Sequence, residues 1–120
     1  MQKIAQLGSG NIGRVYIPVA NRLYVDEFLN LYLDADGNVD RYSSGTIYAI
    51  GGVKFDYNSD GKLFKVGDAK FDYYSTGRIF MIGNTKFDYY SDGRIFSVGN
   101  YKFDYYSDGR IFSIGGKRYD

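Results

Sequence analysis

Residues 70–85 read KFDYYSTGRIFMIGNT, and nearly the same words stand on either side. The preceding 16 residues are 54-KFDYNSDGKLFKVGDA-69, and the following ones are 86-KFDYYSDGRIFSVGNY-101 and 102-KFDYYSDGRIFSIGGK-117. At the same spacing, 38-NVDRYSSGTIYAIGGV-53 is a worn copy that keeps Asp40, Tyr42, Ser43, Gly45, Ile47, Tyr48, Ile50 and Gly51. One step further back, 22–37 is only faintly similar, while 13-GRVYIPVAN-21 resembles GRIFSIGN in the correct phase. A fixed period of this kind marks a repeat architecture in which each copy is one supersecondary unit.

Each unit holds two short strand patterns separated by turn signals: 70-KFDYY-74, Thr76-Gly77, 78-RIFMI-82, then Gly83-Asn84. Asp-Gly is a strong two-residue type I′ signal because both central residues need positive φ, and Gly-Asn suits type II′. One repeat is therefore one β-hairpin. With Thr76 and Gly77 at the centre of the first turn, the opposed pairs are Tyr74–Ile79, Tyr73–Phe80, Asp72–Met81 and Phe71–Ile82. Opposed residues share a face. Phe71, Tyr73, Phe80 and Ile82 are the expected core face, and Lys70, Asp72, Tyr74, Ile79 and Met81 the outer one. Comparison among copies supports the division, since Phe, Tyr, Phe and Val/Ile persist through the last four, whereas Lys65, Met81, Ser97 and Ser113 share one variable site.

The expected fold class is all-β, an antiparallel meander of 16-residue hairpin repeats forming one domain over 1–120. Its degenerate units lie in 1–53 and its regular repeats in 54–117. About 14 strands at about 4.8 Å spacing would make an open sheet roughly 60 Å across with one aromatic face wet. Burying a Phe contributes about 1.5–3 kcal/mol. The sheet is therefore expected to roll into a barrel or spiral, to fold on itself, or to stack on another chain, with an open twisted sheet as the other form. Strands alternating between five and seven residues give the constant stagger that closure needs; a three-residue bulged turn would remove it.

Composition agrees with strands: Tyr 14, Phe 9 and Gly 16 stand beside a single Pro in 120 residues. A net charge of +1, with no segregated basic block, disfavours nucleic acid and membrane surfaces as partners. The absence of cysteine removes disulfides and thiolate chemistry. The start MQKIAQLGSG lacks the apolar core of a secretion signal, and no run approaches 18 apolar residues. A soluble, cytoplasmic chain is expected, with export inside a larger precursor as the other route.

Three stretches resemble sites of chemistry. Gly8, Gly10 and Gly13 spell G-x-G-x-x-G, but 14-RVYIPVANRLY-24 is rich in β-branched residues and contains Pro18, so no helix opens at the third glycine. Gly13 also falls in phase with Gly45, Gly61, Gly77, Gly93 and Gly109, which makes it a hairpin-turn glycine on this reading. Asp34, Asp36, Asn38 and Asp40 alternate like calcium ligands, yet Gly37 stands fourth and Gly45 twelfth, where an EF-hand needs Gly sixth and Glu twelfth. Asp36-Gly37 is instead in register with the second turn. Asp56, Asp72, Asp88 and Asp104 each sit two residues from Lys54, Lys70, Lys86 and Lys102, as a solvated charge ladder does. With no His and no Cys, the commonest general base and soft metal ligands are missing. No enzyme activity, cofactor or metal is expected.

The candidate ligand or partner surface is the outer tyrosine row Tyr42, Tyr74, Tyr90 and Tyr106. Such rings stack on sugars or meet a protein, and equally they cover the neighbouring Ile79, Ile95 and Ile111. The unit 71-FDYYSTGRI-79 resembles the Y-x-Y-D-x-x-G-R-L core of YD repeats in Rhs-type and teneurin-type proteins, through Phe71, Tyr73, Gly77, Arg78 and Ile79 and their equivalents over 54–115. Tyr74 replaces the signature aspartate, and the period of 16 is shorter than that family's. KFDYYSDG is more loosely similar to the K-Y-Y-Y-F-x-x-D-G hairpins of cell-wall-binding repeats, without their tryptophans. Both resemblances imply non-catalytic hairpin arrays. The expected function is a structural or protein-interaction module that self-associates through exposed terminal strands; the alternative is a carbohydrate-binding module using the tyrosine row.

Overall fold

Period-two patterning over runs of three to five residues makes strands and nothing else. The computed structural model, which describes residues 1–119, is all-β, with no helix among the described residues. β1 (Gln2–Gln6), β2 (Ile17–Ala20), β3 (Leu23–Val25) and β4 (Asn30–Leu33) form a four-stranded antiparallel sheet in the order β1-β4-β3-β2. The second sheet has eleven strands in strict chain order. They are β5 (Val39–Arg41), β6 (Ile47–Ile50), β7 (Val53–Tyr57), β8 (Leu63–Val66), β9 (Ala69–Tyr73), β10 (Ile79–Ile82), β11 (Thr85–Tyr89), β12 (Ile95–Val98), β13 (Tyr101–Tyr105), β14 (Ile111–Ile114) and β15 (Lys117–Arg118). The meander does not close: β5 and β15 remain its edges. Eleven strands at about 4.8 Å span roughly 48 Å, and the long axis of the molecule is 46 Å.

The two turns of each repeat differ. At Gly83-Asn84 the two-residue loop has positive φ at the glycine alone (+58°), as type II′ requires, and Ile82 pairs with Thr85 across it. The first turn is not the expected two-residue loop. Gly77 N–H donates to Tyr74 C=O (2.9 Å), Tyr74 N–H donates to Arg78 C=O (2.8 Å), and Gly77 sits at φ +94°. This is a three-residue loop with a glycine bulge, repeated at Gly45, Gly61, Gly93 and Gly109.

A second bulge follows at Phe80, so that Tyr73 pairs with Ile79 while Asp72 pairs with Met81. Its consequence corrects the expected core face: Ile79 is buried, and Phe80 is turned out of the core. The two bulges together restore the base pair Phe71–Ile82 and the stagger. Thr85 pairs with Ile82, whereas Val98 pairs with both Phe87 and Tyr101, so Tyr101 stands level with Phe87 and two residues beyond its own counterpart Thr85.

The aromatic face is kept dry by the molecule itself. Phe55, Phe71, Phe87 and Phe103 are at most 2% exposed and belong to one apolar cluster with Ile17, Val25, Leu31 and Leu33 of the four-stranded sheet. The Thr85 hydroxyl donates to the Val19 C=O (2.5 Å) between the two sheets. Residues 34–38 cross from one sheet to the other; Asp36-Gly37 is this connection, not a hairpin turn. Gly13 likewise closes no hairpin. It lies in the long segment between β1 and β2, without positive φ.

Candidate functional site

The outer tyrosines form part of a packed ladder. The bulge that expels the phenylalanine sets it edge-on to the tyrosine of its own repeat: Tyr74–Phe80 at 4.8 Å, Tyr90–Phe96 at 5.2 Å and Tyr106–Phe112 at 5.1 Å between ring centroids. Tyr42 meets Tyr48 at 5.1 Å in the worn copy. A cation from the next repeat then lies over each phenylalanine: Lys86 over Phe80 (5.8 Å), Lys102 over Phe96 (5.6 Å) and Arg118 over Phe112 (5.6 Å). Asp88 accepts from Ser97 (3.3 Å) and Asp104 from Ser113 (3.0 Å). Tyr42 is 52% exposed and Tyr90 37%, while Tyr74 and Tyr106 are half-buried. The row is interrupted between Tyr42 and Tyr74, where Asn58 stands. The Tyr74 hydroxyl donates to the Phe87 C=O of the next repeat (3.0 Å).

The inner tyrosines hold consecutive repeats together. The β10–β11 ladder stops at Met81–Lys86, leaving the Ile79 C=O beyond it, and the Tyr89 hydroxyl donates there (2.8 Å). Tyr57, Tyr73 and Tyr105 do the same to Ile47, Leu63 and Ile95, each at 2.6 Å. Burial pushes the Tyr73 and Tyr105 phenols up to about 12. They stay neutral donors.

Above these rings runs a file of cations supplied by the residue after each turn glycine. Lys62 lies over Tyr73 (5.1 Å), Arg78 over Tyr89 (5.4 Å) and Arg94 over Tyr105 (4.7 Å). Residues 7–9 and 27–29, which follow β1 and precede β4, face them across a solvent-open recess, here called the chamber, of about 350 Å³, with Leu7, Phe28, Leu29 and Ile95 on its walls and the exposed Arg78 and Arg94 among its lining. A larger recess of about 600 Å³ lies at the opposite end, between the β2–β3 turn and the second turns, with Arg22, Lys54 and Asp68 among its lining.

The glycine-rich segment does bind an anion, and the anion is the chain's own. Gly13 N–H donates to Asp26 Oδ2 (3.1 Å), and the N–H groups of Arg14 and Val15 donate to Glu27 Oε1 (2.9 and 3.0 Å). Asp26 accepts further bonds from Phe28 N–H, Asn30 N–H, Asn30 Nδ2 (each 2.9 Å) and the Tyr32 hydroxyl (2.8 Å). Burial opposes its ionisation, but the bonds from Asn30, Tyr32 and Phe28 outweigh it and hold the carboxyl below its ordinary value. The Tyr119 hydroxyl donates to Glu27 Oε2, and Arg14 stacks on the Tyr119 ring at 4.2 Å, so this segment also clasps the end of the meander. Among the described residues no three acidic side chains converge on a metal position, and Asp34, Asp36 and Asp40 are no exception.

Comparison with family models, with curated proteins and with solved structures finds no match for this chain. Reading the residues alone missed the inner cation file, Asp26 and Glu27. The signal for the first was present as Lys62, Arg78, Arg94 and Arg110 at the repeat period. Asp26 and Glu27 carry no periodic signal.

Proposed function

We propose that the chain is a non-catalytic structural and protein-interaction module, and that the outer face of the meander is its working surface, meeting a protein partner or a second copy. The observation that supports this reading is the recurrence of one Tyr–Phe–cation arrangement in successive hairpins at a constant two-residue stagger. A surface built from identical steps suits an extended partner of matching repeat. The meander edges suit self-pairing less well, because β15 presents Lys117 and Arg118, and charged edge strands resist strand addition. Sedimentation velocity over a wide concentration range tests self-association. The native chain is expected to gain mass with concentration, and the triple variant Phe80→Ser, Phe96→Ser, Phe112→Ser to stay monomeric. A native chain that is monomeric throughout removes self-association from the reading.

The second reading, a carbohydrate-binding module, rests on the exposure of Tyr42 and Tyr90. Glycan-array binding lost on changing Tyr74, Tyr90 and Tyr106 to Ala supports it. Each of these three rings already packs edge-on against a phenylalanine, which is why the first reading is preferred.

A further inference from the structure

The repeats serve as controls for one another. In two of them the arginine after the turn glycine is neutralised by the turn aspartate: Arg94 Nε donates to Asp92 and Arg110 Nε to Asp108, both at 2.8 Å. In repeat 70–85, Thr76 stands where that aspartate would be, and the exposed Arg78 side chain has no hydrogen-bond acceptor among the described residues. Its guanidinium instead leans over Tyr89 and towards the next turn, where a Cβ on Gly93 would lie 3.1 Å from Nη2. A guanidinium presents N–H donors in a planar fork that matches a carboxylate.

That fork stands at the chamber of about 350 Å³, whose walls are Leu7, Leu29, Ile95, Ile111 and the rings of Tyr89 and Tyr105. The two phenol hydroxyls are already donating to Ile79 and Ile95, so the rings offer carbon to the interior. Glu27, the one carboxylate in the lining, is engaged by the N–H groups of Arg14 and Val15 and by the Tyr119 hydroxyl. Arg94 is held by Asp92, so Arg78 is the one charged side chain in the lining without a hydrogen-bonded partner among the described residues; a mostly apolar recess of this volume with a few placed polar groups has the composition of a small-ligand site.

We propose that this chamber binds a carboxylate bearing an apolar tail, with the carboxylate on Arg78 and the tail between Leu7, Leu29 and Ile95. The ligand is either a free acid or the C-terminus of an apolar peptide. Isothermal titration of the full chain with octanoate, 1-octanol, and an apolar tetrapeptide in free-acid and amidated forms tests it. Octanoate or the free-acid peptide is expected to bind, with the uncharged counterpart about tenfold weaker or worse, as loss of one charge-assisted contact predicts. Octanoate alone binding identifies a free acid; the free-acid peptide binding more tightly identifies a chain terminus.

Arg78→Gln and Thr76→Asp are each expected to weaken binding about tenfold. The second variant keeps the arginine and copies the turn of the neighbouring repeats, so its fold is that of residues 90–94. No binding tighter than about 1 mM by either acid, equal binding of 1-octanol, or unchanged affinity in Thr76→Asp overturns the proposal.

Discussion

Phe87 and Tyr89 lie two residues apart on one face of β11 and do different work. Phe87 is fully buried under the smaller sheet, so Phe87→Ala leaves a cavity and is expected to cost about 3–5 kcal/mol in urea unfolding. Tyr89→Phe keeps the ring and removes only the bond to the Ile79 C=O, for an expected loss of about 1 kcal/mol. The inner phenols are also pH reporters. Their folded values are raised, so the neutral form is favoured by folding; that contribution is complete below the unfolded value of about 10 and is lost as pH rises through the folded one. Ultraviolet titration should show Tyr73 and Tyr105 ionising only near 12. Asp26 has the opposite sign. Its folded value is lowered, so its contribution is complete above the ordinary aspartate value and drains as pH falls through the folded one. Urea midpoints measured from pH 6 down to pH 2 should fall in the native chain, with less of that slope in Asp26→Asn.

At the scale of the hairpin, two bulges decide what the sheet looks like from each side. The glycine bulge lets the chain turn within three residues, and the bulge at Phe64, Phe80, Phe96 or Phe112 exchanges an aromatic for an isoleucine or leucine at the core. The outer ladder exists because of that exchange. Gly93 sits at φ +96°, where a side chain is strained, so Gly93→Ala is expected to cost about 1–2 kcal/mol by thermal or urea unfolding. Gly13 is constrained differently: its φ is ordinary, but a Cβ there would run into Asp26 and Glu27, so Gly13→Ala should loosen the carboxylate clasp. Faster amide exchange at residues 13–15 is the measurement that reads it.

For the molecule as a whole, the smaller sheet substitutes for barrel closure. It covers the aromatic face and shares one apolar cluster with the meander, so neither layer has a dry core of its own. Unfolding is therefore expected to be a single transition, with far-ultraviolet dichroism and tyrosine fluorescence giving the same urea midpoint. Separate midpoints for the two probes would show that the layers melt independently.

The 16-residue period, the all-β class, the second turn and the burial of Phe55, Phe71, Phe87 and Phe103 were legible in the residues, because strand alternation and glycine turn chemistry are local and the copies report them repeatedly. The inward turn of Ile79, the packed rather than bare state of Tyr74, Tyr90 and Tyr106, and the freedom of Arg78 depend on which residue stands opposite across a strand gap. Residues 1–33 hold no clear repeat, and their role as the second layer was decided only when Ile17, Val25 and Leu31 met the phenylalanines of the meander. Local patterning determined the strands; the need to remove one aromatic face from water, met by a distant part of the chain, determined how they are stacked.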